Sequence, residues 1–145
     1  IKSGVLPNPV TDQEEHWFTY SLYPHMGDYN AAMVQQEAYC LNVPMYAARV
    51  QNADGSLRLK SLVKLSADGV MLETVKLAED GSGIIVRMYE DHNSRKKVTL
   101  DWHRPFVRAV ECDLMENEIG EAMPSGTSFT FTIKPFEIKT FKICE

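Results

Sequence analysis

The sequence predicts an all-β protein, an antiparallel β-sandwich with one short helical segment. Asp-Gly pairs mark turns at 52–56, 66–70 and 78–83, and Asp-Gly is a strong hairpin signal because both residues tolerate positive φ. Around these turns apolar and polar residues alternate with a period of two, which is typical of strands with one buried face. Many short strands with little helix favour a sandwich. The predicted strands are 57–65, 70–78, 83–90, 97–102, 106–114, 127–133 and 136–143.

The last two predicted strands differ in how regular their alternation is. Phe129, Phe131 and Ile133 fall on one face of 127–133, so we expect them to point into the core. In 136–143 the apolar positions change phase along the strand. A slip of one residue inverts the two faces of a strand, which predicts a bulge near Lys139 or Thr140.

One segment, 28–42, has helical rather than strand periodicity. Val34, Ala38 and Leu41 recur at helical spacing, and Asp28 or Asn30 is suited to cap the first turn. Pro44 should end the helix.

Composition limits the class of protein. A chain of 145 residues with 44% hydrophobic content fits one domain, so we expect a single β-sandwich domain over 1–145. The formal charge of −5 disfavours nucleic acid as a partner. The apolar runs are shorter than the roughly 20 residues that span a bilayer, so no membrane association is expected. The N-terminus has no signal-peptide pattern and no initiator methionine, which is typical of a piece of a longer protein.

The cysteines indicate a reducing compartment. Cys40, Cys112 and Cys144 are odd in number and widely spaced, which is typical of neither a disulfide framework nor a zinc knuckle. The sequence also contains no Asn-x-Ser/Thr glycosylation acceptor. We therefore predict a cytoplasmic location.

The stretch HWFTYSLYPHMGDY, residues 16–29, contains the raw material of a metal site or a sugar platform. Residues 17–22 alternate as a half-buried strand, which would separate His16 from His25 by roughly 25–30 Å. Asp28 would then stand beside only one of them. We therefore predict no metal site in the chain, and no catalytic motif is found either. The acid pairs Glu79-Asp80 and Glu90-Asp91 are interpreted as solvated turn residues.

Trp102 is a second candidate for sugar contact. It stands in DWHRPF, residues 101–106, where the following proline suggests a loop edge with an exposed ring. Aromatic rings stack on sugars in many carbohydrate-binding sandwiches, although rings in strands are mostly core. A free-standing carbohydrate-binding or oligomerisation module therefore stays open as an alternative function.

Three blocks of the chain resemble the C-terminal region of glycoside hydrolase family 38, the α-mannosidases. The first is FTYSLYPHMGDY followed by VQQEAYCLNVPMY, the second VKLAEDGSGIIVRMYED, and the third CDLMENEIGE with FTFTIKPFEIKTFKI. They occur in the family's order and cover nearly the whole chain, and they are most similar to the bacterial and cytosolic branch.

The resemblance implies a non-catalytic part of a zinc-dependent retaining enzyme that hydrolyses α-mannosides in carbohydrate metabolism. In that family the zinc ligands and the nucleophile lie on an N-terminal barrel, and no residue here matches them. The implied fold is the end of a galactose-mutarotase-like supersandwich with C-terminal sandwich strands. The implied partners are the catalytic barrel and central β-domain of the same polypeptide, with a homo-oligomer as a further option. His25 and Asp28 stay candidates for contact with the α-mannoside substrate.

Overall fold

A computed structural model describes residues 13–49 and 61–145 of the chain. The chain divides into two compact units, Ile1–Pro44 and Met45–Glu145, and each is taken by itself. In the described part of the first unit, the regular element is helix α1, Val34–Asn42. None of the helices in the described residues is long and apolar enough to cross a membrane. The predicted turn at 52–56 lies outside the described residues.

The second unit contains two antiparallel sheets, which confirms the predicted fold class. One sheet has the order β1-β4-β6 and the other β2-β3-β7-β5. All strand pairs are antiparallel. The strands of the described residues all lie in this unit, and the single domain over 1–145 stays a prediction. The strands are β1 Val63–Leu65, β2 Val70–Leu77, β3 Ile84–Glu90, β4 Lys96–Phe106, β5 Arg108–Cys112, β6 Gly126–Ile133 and β7 Ile138–Cys144.

The core lies between the two sheets. Phe129 and Phe131 of β6 contact Phe141 of β7, with ring centroids 4.9 and 4.8 Å apart. Ile133 is also buried, so the predicted inner face of β6 is confirmed. Because apolar residues alternate along the strands, each sheet has one apolar face, and the two apolar faces form the core. The core also includes Val70, Val86, Met88, Val98, Leu100, Trp102, Phe106, Ala109 and Ile143.

The predicted bulge in β7 is wrong. The pairing of β3 with β7 continues without a shift from Ile84 opposite Ile143 to Tyr89 opposite Ile138. The apolar phase changes because Phe136 belongs to the preceding turn, where its φ is 55° and its side chain is exposed. In addition, β7 is an inner strand of its sheet, and Thr140 on its outward face is buried as well. A register shift occurs instead in β2, between Leu72 and Thr74.

Residues 113–118, which we call the strap, cross the outer face of the four-stranded sheet. The Arg87 guanidinium donates to the Leu114 carbonyl at 3.2 Å. The Glu116 carboxylate accepts from the Glu79 N–H at 2.8 Å and pairs with Lys76 at 2.7 Å. The strap therefore ties the loop after β5 to β2 and β3.

Candidate functional site

The aromatic segment, residues 17–26, is solvent-exposed and forms no strand. Trp17, Phe18, Tyr20 and Leu22 are each at least 80% exposed. The predicted half-buried strand at 17–22 is therefore wrong among the described residues. Its alternation survives, because the rings of Phe18 and Tyr20 lie on one side with centroids 6.3 Å apart. A strand needs a neighbour to satisfy its backbone, and the described residues of the segment's own unit contain no strand to pair with it.

His25 and Asp28 lie in the exposed turn that follows. The His25 ring contacts the Tyr23 ring, with centroids 5.9 Å apart. The Asp28 carboxylate accepts the Ala31 N–H at 2.8 Å, and the Asp28 carbonyl accepts the Ala32 N–H at 3.0 Å. Asp28 thus caps the turn before the helix rather than α1 itself, which begins at Val34. One carboxylate oxygen is committed to the backbone, and the His25 ring stays accessible.

A shallow groove of about 420 Å³ lies beside α1. The Tyr23 hydroxyl donates to the Ala32 carbonyl at 3.4 Å and so holds the extended segment against the helical turn. Since Tyr23 also contacts His25, the groove and the His25 turn are neighbouring parts of one surface. The groove is lined by Ser21, Tyr23, Val34, Glu37, Ala38, Cys40 and Leu41.

Trp102 is fully buried, at 0% exposure, so the expectation of an exposed ring is wrong. The residue lies inside β4, on the face that also carries Val98 and Leu100. Its indole N–H donates to the Glu145 carboxylate at 3.1 Å. Stacking on a sugar requires an exposed ring face, which Trp102 does not offer in this structure. Its place is in the core.

Glu90 is a buried carboxylate, which corrects the interpretation of Glu90 and Asp91 as solvated acids. One Glu90 oxygen accepts the N–H groups of His92 at 2.9 Å and Ser94 at 3.1 Å, and the other accepts the Phe136 N–H at 3.1 Å. Burial by itself raises the pKa of Glu90, but the backbone N–H donors outweigh it, so the pKa lies below its usual value. Glu90 is therefore an ionised clamp between two turns and not a proton donor.

A second ionic cluster contains Asp80, which belongs to the acid pair Glu79-Asp80. The buried Lys142 ammonium binds the Asp80 carboxylate at 2.9 Å and approaches Glu118 at 3.8 Å. Hydrogen bonds from Ser82, together with Lys142, hold the pKa of Asp80 well below its usual range. The hydrogen bond to Asp80 in turn raises the pKa of Lys142. Each charge has its partner, so the cluster stabilises the β2–β3 hairpin against β7.

The described residues do not provide a zinc site. Within 13–49 and 61–145, no three His, Cys, Asp or Glu side chains come together in a way that could hold a metal ion. Protein zinc sites need at least three such ligands around one ion. No step of a reaction is therefore assigned to zinc in this part of the molecule.

Sequence reasoning did not anticipate these two clusters. The Glu90 to Phe136 and Lys142 to Asp80 contacts join residues 46 and 62 positions apart. The one local signal was the placement of acids beside Asp-Gly or Asp-His turns, which does not separate a solvated acid from a buried clamp.

The fold and these contacts define a β-sandwich whose described polar clusters are structural. The family model described as "Glycosyl hydrolases family 38 C-terminal beta sandwich domain" matches residues 69–141. The chain belongs to this family.

Three curated relatives match nearly the whole chain. "Alpha-mannosidase G" of Dictyostelium discoideum is 31% identical over 98% of the chain. "Alpha-mannosidase 2C1" of Homo sapiens is 33% identical over 95%, and the protein of that name from Mus musculus is 31% identical over 97%. In each case the chain spans only 14% of the relative's own length.

Proposed function

We propose that this chain is the C-terminal, non-catalytic β-sandwich portion of a zinc-dependent retaining α-mannosidase of the bacterial and cytosolic branch. It packs against the catalytic barrel and the central β-domain of the same polypeptide and stabilises them, while the zinc and the nucleophile are held on the barrel. The family match and the relatives named alpha-mannosidase, of which the chain spans 14%, support this role.

The aromatic segment carries the proposal. A run of large apolar side chains in water marks an interaction surface. Covering each of them is worth about 1.5–3 kcal/mol, so Trp17, Phe18, Tyr20 and Leu22 together are enough to anchor a domain. A surface that binds another part of the polypeptide should be exposed in this chain alone, and these side chains are exposed.

The test compares the full-length polypeptide with the 145-residue chain. We expect the triple change of Phe18, Tyr20 and Leu22 to Ser to lower the thermal midpoint of the full-length enzyme and its hydrolysis of an aryl α-mannoside. The same change should leave the unfolding of the 145-residue chain nearly unaltered, because these side chains are each at least 80% exposed there. The matched control, Thr19→Ala with Ser21→Ala, alters the opposite side of the segment and should leave both proteins unchanged.

Two outcomes would contradict the proposal. One is an unaltered full-length enzyme carrying the triple change. The other is hydrolysis of the aryl α-mannoside by the 145-residue chain on addition of zinc.

His25 and Asp28 are proposed to contact substrate held by the barrel. The exposed imidazole and the remaining carboxylate lone pairs are suited to sugar hydroxyls. In the full-length enzyme we expect His25→Ala to raise KM for an α-mannoside with little change in kcat. Asp28→Asn keeps the oxygen that accepts the Ala31 N–H and should raise KM without loosening the turn. His103→Ala, an exposed histidine in β4, serves as the control, and an unchanged KM in both variants would refute the contact.

The cytoplasmic location is part of the proposal and is supported by the cysteines. Arg108 lies opposite Cys144 and Thr140 opposite Cys112, which offsets the α-carbons of the two cysteines by about 13 Å along neighbouring strands. That separation is too long for a disulfide. Cys40, Cys112 and Cys144 are all free, as a reducing compartment requires.

The alternative function, a free-standing carbohydrate-binding module, has lost the observation that favoured it, since Trp102 is buried. Self-association in a homo-oligomer is the other alternative, and it would appear as protection of backbone amides that grows with protein concentration.

A further inference from the structure

Within residues 13–49 and 61–145, strand β6 is a sheet edge without the features that usually protect edges. It pairs with β4 on one side, and no described strand lies on the other. Its eight residues, GTSFTFTI, contain no charged residue and no proline. An exposed edge of this kind is a ready template for another strand, and natural proteins normally block it with charges, proline, bulges or a cover.

The other three edges of the sandwich are blocked. β1 is only three residues long. β2 carries Glu73, Lys76 and a register shift between Leu72 and Thr74. β5 is covered by the chain that follows it, because the Ile119 N–H donates to the Glu111 carbonyl at 2.9 Å and the Met123 N–H to the Ala109 carbonyl at 2.7 Å. Among the described residues, the edge of β6 therefore lacks the protection that the edges of β1, β2 and β5 have.

The hydrogen-bonding groups of that edge can be assigned from the pairing. The Ser66 N–H donates to the Thr99 carbonyl at 3.0 Å, so Thr99 directs its backbone toward β1. Thr130, which lies opposite Thr99, is therefore in a non-hydrogen-bonded pair and directs its N–H and C=O away from β4. By the period of two, Ser128 and Thr132 do the same, while Phe129 and Phe131 bond to β4.

We propose that β6 accepts an antiparallel strand from the same polypeptide, outside these 145 residues, which extends the three-stranded sheet. The proposal rests on the proposed function. The chain spans only 14% of its relatives, so most of such a polypeptide lies outside it. A strand from the same polypeptide is present at a high effective concentration that a second copy lacks.

The residues of β6 also indicate which residue types the added strand needs. On the inner side it meets the row of Phe129 and Phe131, each 8% exposed, and so needs apolar residues at alternate positions. On the outer side it meets Ser128, Thr130 and Thr132 and needs small or β-branched polar residues. The absence of charge on β6 gives no reason for charged residues opposite it. The partner is an uncharged, alternating strand of about the length of β6 itself, which has eight residues.

Residue-level hydrogen exchange in the full-length polypeptide tests the proposal. We expect the amides of Ser128, Thr130 and Thr132 to exchange at least about 100-fold more slowly than exposed amides, as hydrogen-bonded amides do. The amides of Phe129 and Phe131 bond to β4 in either case and provide the internal control. Thr130→Pro removes one outward N–H without touching the β4 bonds, and it should lower the thermal midpoint of the full-length enzyme. Thr130→Val keeps the N–H and should lower the midpoint far less.

The outcomes separate this inference from the proposed function. Fast exchange at Ser128, Thr130 and Thr132, with slow exchange in the aromatic segment, would overturn the added strand while leaving domain packing intact. Fast exchange at both places would overturn both. Protection of β6 that appears only as protein concentration rises would show a second copy on the edge and would likewise overturn the proposal.

Discussion

Trp102→Ala should destabilise the 145-residue chain by about 3–5 kcal/mol, the usual loss for a large aromatic removed from a core. The side chain is fully buried between the sheets, and its indole N–H is bound by Glu145. The whole stability of a domain is of the order of 5–15 kcal/mol, so the variant should unfold at markedly lower urea. Urea unfolding followed by far-ultraviolet circular dichroism measures the loss.

Trp17→Ala is the matched control, because it is the same substitution at a side chain that is 87% exposed. Its expected effect is within about 0.5 kcal/mol of zero. Equal, small effects of the two changes would show that Trp102 is not a core residue. A saturable tryptophan-fluorescence response to an α-mannoside, abolished in a folded Trp102→Ala variant, would favour the carbohydrate-binding alternative instead.

Most strands were predictable because their signals are local. β2, β3 and β6 begin within one residue of their predicted starts, at Val70, Ile84 and Gly126. In each case alternation and the neighbouring turn residues agree with the final fold. Such agreement between local and global preference is what makes a strand readable from sequence.

The segment 17–22 shows where local signals end. Its alternation indicates a strand that can pair, and Phe18 and Tyr20 do lie on one side. Pairing, however, depends on a neighbouring strand, and the described residues of the same unit contain none. The hydrophobic pattern therefore predicted the periodicity of the segment correctly and its burial wrongly.

Trp102 was misjudged because of Pro105. Proline removes a ladder hydrogen bond, so the strand was expected to end before it. β4 instead continues to Phe106, because the pairing with β6 is irregular between Asp101 and Phe106 and leaves room for Pro105. The alternation Val98, Leu100, Trp102 already placed the ring on the inner face.

Glu90→Gln should lower the free energy of unfolding by about 1–3 kcal/mol, because a buried donor loses its acceptor. The carboxylate accepts from His92, Ser94 and Phe136. The glutamine amide has one oxygen, so its NH₂ group must face at least one of these N–H donors. Both turns that the carboxylate clamps contain a residue with positive φ, Asn93 at 54° and Phe136 at 55°. Glu121→Gln, the same change at an exposed side chain, should leave the unfolding free energy unchanged.

The dependence on pH distinguishes loss of the charged clamp from a general packing defect. Burial raises the pKa of Glu90, but the N–H donors lower it by more, so the pKa lies below its ordinary value. A carboxyl group with a lowered folded pKa stabilises the fold above its unfolded pKa of about 4.3, and this stability is lost as pH falls through the folded value. The difference between the parent chain and Glu90→Gln should therefore be largest above about pH 5 and shrink below about pH 4. Urea unfolding at several pH values measures it. A difference that stays constant down to pH 3 would mean that Glu90 stabilises the fold by its packing and not by its charge.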